Sequence, residues 1–351
     1  MALLSLEVDE LRCLQRAELE LHPHVNLIVG ANGSGKTTLL EAAYLLGRGR
    51  SFRTRHTQRL IRHDAQRLQV LGHFVDSAVG SIGVGCDRQN GLEVRIDRQA
   101  PRSLAELSEA FPVQILDPGI HRLVEDGPVE RRRWLDWGVF HVEPGFVDRW
   151  VDYSRNLKQR NAALKQQLDP TPWDPELARL GEELAEARAR VVAAIQPFWR
   201  ETLAGLLGES VDMSYFRGWS QGVALMESLT RHLASDRERG TTTLGPHRFD
   251  VTLRLGGKLA RDVLSRGQQK LVGAALSLAM AKLVGSGEHR APTLLLDDPA
   301  AELDAPHTQA LIREIQRQKG QLIVTALGLA ESHFGQPDRA FHVEQGRVTR
   351  L

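Results

Sequence analysis

Apolar runs of strand length and tracts of helical period alternate along the chain, and their order is informative. VNLIV (25–29) is a β-branched apolar run that reads as a buried strand. A glycine-rich turn follows, and then TTLLEAAYLL, which reads as a helix. Near the other end, LVGAALSLAMAKLV is a second apolar helical run, TLLLDD an apolar strand ending in two aspartates, and QLIVTALG a further apolar strand. The tail AFHVEQGRVTRL alternates around Gln-Gly and reads as a closing hairpin. Between these ends lie the longest helical tracts, Phe146–Gln167 and Pro175–Gly208, parted by Pro170, Pro172 and Pro175. The second, if unbroken, would span about 50 Å. A short antiparallel helix hairpin is therefore predicted.

Composition narrows the class. The 351 residues are 42% hydrophobic and 25% charged, an ordinary globular balance with room for one large core or two modest ones. A net charge of +1 gives no whole-molecule field for nucleic acid, so only a local patch would serve. Two cysteines, Cys13 and Cys86, give no disulfide framework and no zinc hook, and point to a reducing compartment. The opening MALLSLEVDEL carries acids where a signal peptide needs cations, and no window approaches a membrane span. A cytoplasmic protein is expected. Lysine supplies only 7 of the 45 basic residues and leaves 38 arginines, so a single arginine says little about phosphate recognition.

Candidate chemistry starts at Gly30-Ala-Asn-Gly-Ser-Gly-Lys-Thr37, between the first strand and its helix. Gly30, Gly33 and Gly35 admit backbone angles and close approach that a Cβ would forbid, and successive N–H groups can then converge on an anion at a helix N-terminus. The cradle comprises Gly30, Ala31, Asn32, Gly33, Ser34, Gly35, Lys36, Thr37 and Thr38. Lys36 is placed to reach the β- and γ-phosphates and Thr37 to ligate Mg²⁺. The strand TLLLDD places Asp297 at that metal and Asp298 where a carboxylate can polarise water. Leu264-Ser-Arg-Gly-Gln-Gln-Lys270 opens another helix with Ser265, Gly267 and Gln268, a second anion site. With the phosphates already cradled, a second sensor points to a composite site closed by another copy of the chain.

GANGSGKT, LSRGQQK, LLLDD and ELD together resemble the ABC-type ATPase heads of the branch shared with SMC proteins. That resemblance implies an α/β fold: a P-loop lobe with a mixed sheet, plus a helical second lobe with its short antiparallel helix hairpin. Expected boundaries are 1–115 and 241–351 for the two parts of the ATPase lobe and 116–240 for the helical lobe. From Lys36 to Ser265 is 229 residues, too few for a chromosome-scale coiled-coil arm. The terminal strand ends in Thr325-Ala326 without the histidine of a transporter ATPase, which leaves the γ-phosphate sensor unassigned. LLGRGRSFRT (45–54), ERRRWLDWGVFHVEPGF (130–146), LKQRNAALK (157–165) and TLGPHRFDV (243–251) are similar to the RecF family of DNA-repair proteins, over almost the full length.

The family resemblance implies Ser265 and Gly267 acting in trans on the γ-phosphate, and Glu302-Leu-Asp304 as a dimer-facing loop. It also implies Arg12 near the nucleotide, in Leu11-Arg12 where the pattern often has Phe-Arg, and Gln114 as a Mg²⁺-sensing, catalytic glutamine. A plain strand glutamine fits Gln114 nearly as well. The implied function is an ATP-dependent homodimer that binds single-stranded and duplex DNA at gap junctions. Slow hydrolysis would reset it, with RecR as partner and RecA loading as outcome. The alternative is a structural or regulatory head that gates protein assembly without DNA contact; a transport motor is disfavoured. Arg48–Arg67 holds seven Arg and two His against Asp64, a strip in which Arg50, Arg53, Arg55 and Arg59 are the DNA candidates. Trp134 and Trp137, with Leu135 and Val139, read as a helix's apolar face, while the neighbouring arginines fit either phosphate or local acids. His247, after Gly-Pro, reads as a turn histidine.

Overall fold

Strand alternation builds the first sheet of the protein, whose computed structural model describes residues 1–287 and 291–351. β1 (Ala2–Leu11) and β2 (Leu14–Glu20) pair antiparallel, and β2 buries Leu14, Ala17 and Leu19 while Gln15, Arg16, Glu18 and Glu20 are exposed. β3 (Val25–Val29) is buried along most of its length and runs through the glycine turn into α1 (Lys36–Arg48). β4 (Arg67–Val75), β5 (Ser81–Asp87) and β6 (Gly91–Ile96) extend the first sheet in the order β2-β1-β4-β5-β6, antiparallel throughout. α2 (Leu104–Ala110) and β7 (Val113–Leu116) close this part. Of the 13 residues of α1, 11 are buried, so it has no solvated face and sits inside a core shared by residues of both sheets. Leu39, Leu40, Leu45 and Leu46 are each at most 1% exposed; removing such a side chain from water stabilises by about 1.5–3 kcal/mol.

Helices dominate the middle: α3 (Arg122–Glu125), α4 (Pro128–Val142), α5 (Phe146–Lys165) and α6 (Asp174–Leu206). β8 (Asp212–Phe216), α7 (Leu225–Arg239), β9 (Asp250–Leu255), β10 (Lys258–Leu259) and α8 (Ala260–Val263) follow, with the small antiparallel sheet β10-β9-β8. The expected hairpin is present. Arg160 of α5 meets Asp174 of α6 at 2.6 Å, and Arg188 of α6 lies 5.4 Å over the Phe146 ring of α5. Fourteen residues separate each contact from the other on both helices, counted in opposite directions, so the helices run antiparallel. Both arginines are fully buried. Trp134 and Trp137 are 6% exposed, core residues as the apolar face implies.

α9 (Arg266–Val284), β11 (Thr293–Asp297), α10 (Ala305–Gln316), β12 (Leu322–Ala326), β13 (Arg339–Glu344) and β14 (Arg347–Arg350) complete the chain. The second large sheet has the order β14-β13-β3-β12-β11-β7 and is parallel except for β14, which closes the tail hairpin. It is the mixed sheet expected of the ATPase lobe. Buried Gln321 stitches the two sheets: it accepts the Leu3 N–H at 3.0 Å and donates to the Leu3 and His22 carbonyls at 2.8 and 2.9 Å. The first sheet's register slips just there, between Leu3 and Ser5.

Two compact units emerge: Met1–His121 with Gly205–Leu207 and Lys270–Leu351, and Arg122–Ala204 with Gly208–Gln269. The second unit extends past residue 241, to Gln269. Segment 241–269 stays with the helices because β9 pairs with β8, Tyr215 opposite Val251. No helix among the described residues is long and apolar enough to cross a membrane.

Candidate functional site

The glycine turn stands at the C-terminal end of β3, where an open parallel sheet presents its ligand crevice. A Cβ on Gly30 would lie 2.2 Å from the Val343 carbonyl oxygen, and Gly35 has φ +120°, so neither position tolerates a side chain. The turn presents backbone to the head of α1. Lys36 is 8% exposed and folds back over the loop, its Nζ donating to the Gly30 and Ala31 carbonyls at 2.6 and 2.9 Å. Burial pulls its ammonium below the usual lysine range, while the charges of Asp298 and Asp297 pull it back up.

Strand order brings the carboxylates to the same crevice. β12 lies between β3 and β11, and Thr325 is level with Ile28 on one side and Asp297 on the other. The Thr37 hydroxyl donates to the Asp297 carboxylate, 2.9 and 3.1 Å from its two oxygens. Thr325 Oγ1 donates to Asp297 Oδ1 at 2.8 Å and accepts the Asp298 N–H at 3.0 Å. Asp298 has φ +46°, a left-handed conformation for a non-glycine residue, as occurs where function dictates backbone shape. Burial and then Asp297 push its carboxyl above the usual carboxylate range, opposed by Lys270 and Lys36. Lys270 is 4% exposed and donates to the Ala301 carbonyl in the segment before Glu302, held below the lysine range by burial despite Glu302, Asp298 and Asp117.

Gln114 is not brought to this end. It pairs in register with Leu294, three residues before Asp297, and so falls roughly 10 Å short along the strand. Its side-chain oxygen is buried without a hydrogen-bond partner. Asp117 is the residue that follows β7 at the level of Asp297, one step beyond the Leu116–Leu296 pair. Thr325, Asp117 and Glu41 were not singled out from sequence as site residues. Glu41, fully buried in α1, receives the Arg12 guanidinium through Nε and through Nη2 at 2.9 Å. The only sequence signal for it was a lone charge within TTLLEAAYLL.

Ser265, Gly267 and Gln268 belong to the other unit. Ser265 Oγ accepts the Gln268 N–H at 3.3 Å while Gln268 Oε1 accepts the Ser265 N–H at 2.9 Å, a reciprocal cap on α9. Arg131 forks onto the sequence-distant Asp250 at 2.9 and 3.0 Å, Arg132 donates to the Phe249 carbonyl at 3.2 Å, and Arg133 bonds the neighbouring Glu130. His247 is a turn residue as read: Nδ1 pairs with the Tyr153 hydroxyl at 2.7 Å and Nε2 with the Thr242 carbonyl at 3.2 Å. In the basic strip, Arg50, Arg53, Arg55 and Arg59 are exposed, whereas Arg48 lies 5.9 Å over the Tyr44 ring.

A family model described as the RecF/RecN/SMC N terminal domain matches residues 2–349. The DNA replication and repair protein RecF of Pseudomonas fluorescens is 41% identical over 362 residues, covering 100% of this chain and 98% of the relative. RecF of Pseudomonas syringae pv. tomato is 40% identical, with the same coverage. A solved structure of the recombination mediator protein RecF-ATP of the RecFOR pathway is similar, with TM-score 0.88 at 26% identity over 100% of this chain and 97% of that one. An SmcHead structure bound to the C-winged helix domain of ScpA shares the fold, with TM-score 0.63 at 17% identity over 100% of this chain and 98% of its own. The glycine turn, the paired aspartates beside it and these likenesses over the whole chain agree: this chain belongs to the RecF family of the RecF/RecN/SMC group.

Proposed function

We propose that the protein is an ATP-dependent DNA-binding switch of repair and replication, working in the cytoplasm. The observation that carries this reading is the Thr37 hydroxyl on the Asp297 carboxylate at the mouth of the glycine turn. That arrangement fits Mg²⁺, which takes one or two carboxylates together with phosphate oxygens and water. Bound there, Mg-ATP supplies the charge and the binding energy that close two copies on each other. Lys36 and the loop N–H groups of 30–38 hold the phosphates, Arg12 approaches the nucleotide from the β1–β2 turn, and Asp297 with Thr37 holds the metal. Asp298 orients and polarises water; its raised proton affinity suits a carboxylate that receives a proton. Ser265, Gly267 and Gln268 of one copy complete the site of the other in an ATP-dependent homodimer. Register argues against Gln114 as a metal ligand and favours Asp117 for that edge of the crevice.

The exposed arginines 50, 53, 55 and 59 support DNA binding through the phosphate backbone, which suits single-stranded, duplex and gap-junction DNA alike. By likeness to relatives named for DNA replication and repair, and for the RecFOR pathway, the partners are RecR and, indirectly, RecA. Slow, DNA-stimulated hydrolysis releases the dimer. The test is calorimetric titration with Mg-ATP. The parent should bind one nucleotide per chain, and Lys36→Ala should lose at least about tenfold in affinity, the loss of one charge-assisted bond. Equal binding by Lys36→Ala would refute the assignment.

A further inference from the structure

Glu41 has no exposed surface and lies five residues into α1 beyond Lys36, a place where a charge persists only if it is fully paired. Two segments distant from each other in sequence pair it. From the β1–β2 turn, Arg12 contributes Nε and Nη2. From the segment after α1, Ser51 Oγ donates to Oε1, and Arg53 Nη1 stands 3.9 Å from Oε2. The same Ser51 oxygen accepts the N–H groups of Arg53 and Thr54 at 2.9 and 3.0 Å, which fixes the turn that opens the exposed arginine strip. On the other side, the Arg12 turn is seated on the phosphate loop: Cys13 Sγ is 3.7 Å from Thr38 Oγ1 and would lie 3.3 Å from a Cβ on Gly35. One buried carboxylate thus holds both the turn that touches the loop and the turn that carries the strip.

We propose that Glu41 is a positioning residue that couples nucleotide in the phosphate loop to nucleic-acid backbone on the arginine strip, with Arg12 and Ser51 as its two arms. The inference rests on the function proposed above. A carboxylate has two oxygens and a limited set of acceptor directions, and here both arms draw on them. When a DNA phosphate draws Arg53 outward, the turn whose Arg53 and Thr54 N–H groups bind Ser51 Oγ moves with it, and the Ser51 hydroxyl carries that movement to Glu41. Packed interiors answer such a change by a discrete shift, so the Arg12 turn and the loop beneath it move together. Linkage makes the effect reciprocal: DNA raises nucleotide affinity by the factor by which nucleotide raises DNA affinity.

The experiment titrates a non-hydrolysable ATP analogue with and without saturating duplex DNA, and the DNA with and without the analogue. The parent should show one coupling factor in both directions, within roughly 5- to 150-fold. Ser51→Ala deletes the linking hydroxyl, and with it the acceptor of the Arg53 and Thr54 N–H groups, while leaving Lys36 and the phosphate loop untouched. It should bind the analogue alone as the parent does, while its coupling factor falls to about one. Glu41→Gln should lose coupling likewise, but also leaves Arg12 without its counter-charge, so Ser51→Ala decides. A parent without coupling would refute the functional reading itself. Coupling in the parent that survives unchanged in Ser51→Ala would overturn this inference and leave the functional reading standing.

Discussion

Thr325 shows how much a single hydroxyl carries at this site, because it both donates to Asp297 and receives the Asp298 N–H. In Thr325→Val the shape is kept, one carboxylate loses a donor and a half-buried N–H loses its acceptor. Each such loss costs about 1–3 kcal/mol, so turnover should fall roughly 10- to 100-fold with a smaller change in nucleotide affinity. Thr325→Ser should restore it, as steady-state turnover beside nucleotide titration would show; a Val variant at parent rate would remove Thr325 from the site. Sequence made the loop 30–37 and Asp297-Asp298 legible because each is contiguous, and contiguous residues encode their own local geometry. Thr325 was visible only as the place where a histidine is missing. Its role depends on β12 lying between β3 and β11, a pairing across distant segments. Gln114 and Asp117 differ by three positions, and only the register of β7 on β11 tells which one stands level with Asp297.

At the scale of elements, the helix hairpin was legible because its tracts are periodic and prolines punctuate them. Its interior was not. In a chain with 38 arginines, Arg160 and Arg188 look like solvated cations, yet both are fully buried and bind Asp174 and Asp236, and Asp136, respectively. The first antiparallel sheet was likewise hidden, since alternation in β4 announces a strand without naming its partners. His247 ties this buried web to the turn before β9, and burial holds its imidazole down to about 4, with Arg248 and Arg132 acting in the same direction and Thr242 and Asp236 opposing. The folded protein therefore resists protonating a group that the unfolded chain protonates near its ordinary value. The stability this histidine contributes is complete above that ordinary value and is lost as pH falls toward about 4. Between pH 7 and 5 the loss should be about 2 kcal/mol, and denaturant midpoints of the parent should fall accordingly. His247→Gln should show a flatter profile over that window; an identical profile would mean that another group governs it.

For the whole molecule, two units take shape from a chain whose middle segment is inserted between the two halves of the ATPase lobe. The near-neutral total charge hides an exposed arginine strip, which shows in the placement of the residues and not in the composition. Both the glycine turn and the capped start of α9 end in groups suited to phosphate, yet a single loop suffices to hold one nucleotide. The second of these is proposed to serve another copy. Sedimentation velocity tests it most directly, with the parent and Ser265→Arg compared without nucleotide, with Mg-ATP, and with Mg-ATP plus a gapped duplex. The parent should sediment as a monomer alone, as a dimer with Mg-ATP, and as a larger DNA-bound species with the duplex, while Ser265→Arg should bind Mg-ATP as a monomer and stay one. A parent whose sedimentation ignores nucleotide, or a Ser265→Arg variant that dimerises as the parent does, would contradict it.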